Sequence, residues 1–147
     1  MKITPTAFAY SAILLALLVG VANWIAPHHT LTNAGCTLNY VTDGDTVALD
    51  CTDGRKMVRL LGLDTPETKD PGCTAEAALG AQATDRLRAL VTTGTVTFEG
   101  QGYDKYGRVL AVMMVDGVDV ADTLVNEGLA VVYGGERRIN WCRKLNG

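Results

Sequence analysis

Formal charge is absent from the start of this 147-residue chain: between Lys2 and Asp43 there is no Asp, Glu, Lys or Arg. Ala7 to Ala26 form instead a largely apolar stretch centred on Ile13-Leu14-Leu15-Ala16-Leu17-Leu18-Val19. Having no polar face, it does not read as an amphipathic core helix. About 20 apolar residues suffice to span a bilayer, and Trp24 would then sit at the membrane interface. A lone Lys ahead of such a run also suits a signal peptide, for which Gly20-Val21-Ala22 offers small residues without a strong A-x-A site. Signal and anchor both stay open. Either places the following residues outside the cytoplasm: secreted, periplasmic, or held to a membrane through residues 7–26.

C-x-x-C spacing is also absent, which argues against a zinc site. Cys36, Cys51, Cys73 and Cys142 form an even set, suited to two disulfides in an oxidising compartment. Three pairings are possible. Cys36 with Cys51 is preferred because it would staple two strands flanking the Asp43-Gly44 turn, leaving Cys73 with Cys142 to tie the C-terminal tail to the loop after Glu67. No internal repeat or second domain is visible. Three parts are expected: residues 1–26 as signal peptide or anchor, 27–35 as a polar spacer containing His28-His29, and 36–147 as one domain with a single core.

Within that domain, Leu38 to Thr42, Thr46 to Cys51 and Lys56 to Leu63 read as a three-strand meander separated by Asp43-Gly44 and Asp53-Gly54 turns. From Thr74 to Val91 the period becomes helical, with Leu79, Ala83, Leu87, Leu90 and Val91 on one face and Gly94 just beyond the end. Thr95 to Glu99 and Val109 to Val115 read as two more strands. A short helix follows from about Asp119 to Glu127, with Gly128 as its cap. Met113-Met114 reads as core filling.

Three polar segments interrupt this framework: Asp43-Gly44-Asp45-Thr46, Arg59-Leu60-Leu61-Gly62-Leu63-Asp64-Thr65-Pro66-Glu67 and Asp104-Lys105-Tyr106-Gly107-Arg108. Each alone is an ordinary turn or charged loop. Together they supply the parts of a metal-assisted attack on a phosphodiester. Ca²⁺ and Mg²⁺ take oxygen ligands, which Asp45, Asp64 and the Thr65 carbonyl offer, while leaving positions for water and a phosphoryl oxygen. Glu67 is placed by the Thr65-Pro66 turn to accept a proton from that water or to position it. Arg59 and Arg108 provide guanidinium groups, whose fork matches phosphate oxygens.

From Cys36 to Tyr133 these segments resemble the thermonuclease family of staphylococcal-nuclease-like domains. The resemblance implies a β-rich α+β fold, a five-stranded Greek-key barrel of OB type with packed helices. It also implies Ca²⁺-dependent cleavage of DNA and RNA, with rupture of the 5′ P–O bond to leave 3′-phosphates. Its metal ligands fall on Asp45, Asp64 and Thr65, its catalytic residues on Arg59, Glu67 and Arg108, and phosphate contacts on Lys105 and Tyr106. The chain departs from the pattern near Tyr133, where one Tyr precedes Gly134-Gly135, and it leaves little room for a long C-terminal helix after Cys142.

The net charge of −3 lacks the basic excess common in nucleic-acid binders, and no groove-reading motif is present. Weak, salt-sensitive affinity with little sequence readout is therefore expected, for single-stranded or fraying DNA and RNA, with no obligate protein partner. The alternative is a non-catalytic OB-fold module that captures nucleic acid at the cell surface.

Overall fold

The computed structural model describes residues 35–146, so the apolar stretch 7–26 and His28-His29 lie outside the described residues. In chain order the elements are β1 (Cys36–Asp43), β2 (Thr46–Cys51), β3 (Gly54–Leu60), β4 (Gly62–Asp64), α1 (Thr74–Thr93), β5 (Val96–Tyr103), β6 (Val109–Val115), β7 (Val118–Asp119), α2 (Val120–Asn126), β8 (Val131–Tyr133) and α3 (Trp141–Asn146). Among the described residues this is a β-rich α+β fold with three helices.

The first three strands form the expected antiparallel meander. Successive residues of a strand face opposite sides. Val47, Ala48 and Leu49 are nevertheless all buried, so β2 is covered on both faces. β3 then pairs in parallel with β6, and β6 pairs antiparallel with β5. The main sheet runs β1-β2-β3-β6-β5, with β7 added beside β6, while β4 and β8 form a separate antiparallel pair.

The run from Lys56 to Leu63, expected as one strand, is broken at Leu61. Gly62 has φ +84°, a left-handed conformation open to glycine. There the chain turns out of the main sheet to pair with β8. β4, β7 and β8 are two or three residues long, too short for alternation to mark them.

The core gathers Val47, Leu49, Val58, Leu60, Val109, Ala111 and Met113 from the sheet, Leu87 from α1, and Val120 and Leu124 from α2. Each large aliphatic side chain so buried contributes about 1.5–3 kcal/mol relative to exposure. Ala83 and Leu87 are the fully buried apolar residues on α1, with Leu90 and Val91 packed at the core margin. Among the described residues no helix is long and apolar enough to cross a membrane.

Two disulfides tie this frame: Cys36 to Cys51 across the β1–β2 pair, and Cys73 at the start of α1 to Cys142 in α3. The second closes a sequence separation of 69 residues.

Asp119 caps α2 by accepting a hydrogen bond from the Ala121 backbone N–H at 2.8 Å. Gly128, expected as the cap, lies one residue beyond the C-cap Glu127, with φ +74°. Partial burial raises the Asp119 pKa despite that bond, with a smaller push from Asp122. The folded state therefore holds this proton more tightly than the unfolded chain. Stability is lost as pH rises from the ordinary value of 3.8 through the raised one. Asp119→Ala is expected to cost about 1 kcal/mol in urea melts at neutral pH. Asp119→Asn keeps the cap and should flatten stability over that acidic window.

Candidate active site

The three polar segments converge on one cleft of about 960 Å³. Its lining includes Asp43 at the end of β1, Asp45 from the β1–β2 connection, Arg59 from β3, Thr65 and Glu67 from the loop after β4, and Lys105, Tyr106 and Arg108 from the β5–β6 connection. Tyr133 and Arg138 also line it.

The β1–β2 connection sits close to this loop because residue 44 is glycine. A Cβ there would stand 2.9 Å from both the Ala83 Cβ and the Thr65 Cγ2. Asp45 is thereby buried, with its Oδ2 accepting from the Thr65 backbone N–H at 3.4 Å. Burial first, and then the adjacent Asp45 charge, push the Asp43 carboxyl up to about 6.

Asp64 departs from the expectation of an open ligand. Its side chain is 1% exposed and both oxygens are engaged: Oδ1 accepts from Arg138 Nε, and Oδ2 accepts from Trp141 Nε1 at 3.0 Å. Arg138 Nη2 also donates to the Thr65 carbonyl at 2.9 Å, while Arg59 Nη2 lies 3.1 Å from Asp45 Oδ2 and 3.8 Å from Asp64 Oδ1. Two cationic head groups thus rest on the oxygens of Asp45, Asp64 and Thr65. That donor set is all oxygen, two carboxylates and one carbonyl, and it fits a hard divalent cation. Burial opposes the Arg138 charge, but Asp64 and then Asp45 and Glu67 outweigh it and raise its pKa.

The two arginines expected to hold phosphate differ. Arg59 is largely spent on internal acceptors, donating to the carbonyls of Leu60 at 2.6 Å and Leu63 at 3.1 Å beside its pair with Asp45. Arg108 is anchored through Nε alone, on Asp104 Oδ2 at 2.8 Å, which leaves its Nη groups clear of that contact. Burial would raise the Asp104 pKa, but bonds from the Arg108 side chain and backbone and the Tyr106 backbone outweigh it and hold it low. Lys105 Nζ lies 5.0 Å from the centroid of the exposed Tyr106 ring.

Glu67 points one oxygen inward and one toward Arg138. Its Oε1 accepts from the backbone N–H groups of Thr68 and Lys69, and its Oε2 lies 3.7 Å from Arg138 Nη1. The loop is fixed from below by buried Glu76 of α1, whose carboxylate accepts from the Glu67 N–H at 3.3 Å and the Gly72 N–H at 2.8 Å. Cys73, Glu76 and Cys142 come together there, but the bridge between the two cysteines removes both thiolates.

Gly80 lets α1 pack directly under the loop. A Cβ at that position would meet the Pro66 carbonyl oxygen at 2.8 Å and the Glu67 carbonyl oxygen at 3.1 Å. Gly80→Ala, although favourable for helix propensity, is expected to lower stability by about 1–3 kcal/mol. It should also lower turnover, because the displaced backbone carries Glu67. Thermal melts and initial rates check the two effects.

The sequence alone does not single out Arg138, Trp141 or Glu76 as supports of the site. The signal for Trp141 was an aromatic donor beside a bridged cysteine. For Glu76 it was a carboxylate within the otherwise small-residue first turn of α1.

A family model described as Staphylococcal nuclease homologue matches residues 57–143. Endonuclease YncB of Bacillus subtilis (strain 168) is 42% identical over 99 residues, 65% of this chain and 46% of that protein. SPbeta prophage-derived endonuclease YokF of the same strain is also 42% identical over 99 residues, covering 65% of this chain and 33% of that protein. The thermonuclease of Staphylococcus hyicus is 36% identical over 92 residues, 61% of this chain and 54% of its own length. The chain thus spans a third to about half the length of these relatives.

Proposed function

The chain belongs to the staphylococcal nuclease homologue family, and on that premise we propose that it is a calcium-dependent nuclease. It hydrolyses DNA and RNA with little sequence preference, outside the cytoplasm, and leaves 3′-phosphates. The observation that carries this reading is the convergence of Asp45, Thr65, Glu67, Lys105 and Arg108 on one cleft, with Asp64 directly behind it. The sheet order, with β3 and β6 parallel, supports reading its five main strands as an OB-type Greek-key barrel.

Asp45, Asp64 and the Thr65 carbonyl would hold the cation, which would supply polarisation of a phosphoryl oxygen and orientation of a water. Arg59 and Arg138, which pair with these oxygens, would compete with it for them. Glu67 takes or holds the proton of the attacking water through the oxygen not committed to Thr68 and Lys69. Water oxygen bonds to phosphorus, the bond to the 5′ oxygen breaks, and that oxygen takes a proton from solvent water as it leaves. Arg108 and Arg59 balance the charge that builds on the phosphoryl oxygens. Lys105 and Tyr106 hold a neighbouring phosphate. The apolar stretch 7–26 serves as signal or anchor, consistent with an oxidised domain carrying two disulfides.

End-group analysis tests this directly. Labelled single-stranded DNA, duplex DNA and RNA incubated with the oxidised protein and Ca²⁺ should all be cut, single strands fastest, to fragments ending in 3′-phosphate. Binding without cleavage by the folded protein would transfer the reading to the capture module.

A further inference from the structure

Apart from Arg59, Arg108 and Arg138, which line the cleft and are ion-paired there, the described basic residues divide into two groups in this acidic protein. Away from the cleft they are neutralised locally: Arg55 by Asp50, Lys56 by Asp53, Arg86 by Glu127 and Arg88 by Asp85. Among the described residues, those forming no ion pair are Lys69, Lys105, Arg137, Arg143 and Lys144. All five lie at the site or next to it. Lys69 follows Glu67 on its loop, and Lys105 lines the cleft. Arg137, Arg143 and Lys144 line a second, shallow groove of about 840 Å³, which meets the cleft at Arg138. Its remaining lining is Val131, Ile139 and Asn140, so among the described residues no carboxylate lines it. Nearby Glu136 is turned to the Gly134 N–H at 2.9 Å.

We infer that this groove is a track for the phosphate backbone of the strand whose scissile phosphate lies in the cleft, a deepening that rests on the proposed nuclease function. Several unpaired cations spread along an open groove match a chain of phosphates better than one small anion. Half-exposed Ile139 offers apolar surface to sugars or bases. No residue there is placed to read base edges, so the track adds affinity and salt dependence rather than sequence choice. It also explains how a chain of net charge −3 can hold a polyanion: the repulsive charge is offset elsewhere and the attractive charge is kept along one path.

The test is fluorescence anisotropy of labelled single strands of roughly 4 and 16 nucleotides. Binding is measured over a salt series with Ca²⁺ in a Glu67→Gln background, which keeps strands intact. Adding Arg137→Gln, Arg143→Gln and Lys144→Gln should weaken the longer strand about tenfold or more. It should reduce the slope of log affinity against log salt by up to about 2, since each phosphate contact contributes about 0.7 on single strands. The shorter strand should change far less. Arg137→Gln alone, outside α3, should lower the slope by about 0.7 even where the triple variant folds poorly. An unchanged slope in folded variants, or equal loss at both lengths, overturns the track. So does loss of binding to anionic phospholipid vesicles with strand binding intact, which would make the groove a membrane surface. Because binding is read without cleavage, failure of the nuclease reading shows separately, as an inactive protein with Glu67 intact.

Discussion

Glu67→Gln is expected to slow cleavage by roughly 10²–10⁴-fold while leaving the fold intact. Glutamine can keep the Oε1 acceptor that receives the Thr68 and Lys69 N–H groups, so the loop remains closed. What is lost is the free oxygen facing Arg138, the one able to take a proton. Arg108→Ala should lower turnover by about 10²–10³, the loss typical of one donor that stabilises developing charge. Arg59→Ala should differ from both. Its guanidinium pairs with Asp45 at 3.1 Å with both side chains largely buried, and stripping one member of such a pair costs about 3–5 kcal/mol. Single-turnover rates read with thermal melts separate the cases. Rate loss without destabilisation is expected at Glu67 and Arg108, and both together at Arg59. Wild-type rates in Glu67→Gln would remove this residue from the chemistry.

Removing the Cys73–Cys142 bridge, as Cys73→Ser with Cys142→Ser, has the second largest expected effect. Closing a loop across 69 residues contributes roughly 4 kcal/mol on the chain-entropy account. The bridge also holds α3, and α3 carries Trp141, which is 3% exposed and donates its indole N–H to Asp64 Oδ2. Without that donor Asp64 loses its contact on Oδ2 and is held toward Asp45 and Thr65 only through the arginines on Oδ1. The double variant should therefore melt earlier and need a higher Ca²⁺ concentration for half-maximal rate. Cys36→Ser with Cys51→Ser is the control: it releases a bridge across paired strands and should reduce stability without moving the Ca²⁺ requirement. Equal shifts in both double variants would mean that α3 does not position the site.

Much of this architecture was legible because its signals are local. β2 and β6 end where alternation and turn residues end them, and α1 begins at Thr74, as its period predicts. The cleft residues were legible for another reason: Asp45, Arg59, Glu67 and Arg108 belong to segments whose chemistry makes sense only together. Asp45 lies N-terminal to the span matched by the family model, yet the β1–β2 connection brings it to the same cleft. What escaped were contacts set by tertiary closure. Trp141 meets Asp64 across 77 positions and Arg138 meets it across 74, and no periodicity links residues so far apart. The saturation of Arg59 by its own segment's carbonyls was equally invisible, since it depends on the bend at Gly62 rather than on residue type.

On the proposed function, the oxygens of Asp45, Asp64 and Thr65 hold a divalent cation that switches on hydrolysis in this cleft. Cleavage of single-stranded DNA by the oxidised protein should be followed in one continuous assay with Ca²⁺, then with excess chelator, then with Ca²⁺ restored. The account predicts activity that stops on chelation and returns on re-addition, and that Asp64→Asn fails to recover at the same Ca²⁺ concentration. Cleavage that persists unchanged in chelator, or full activity in Asp64→Asn, would contradict it.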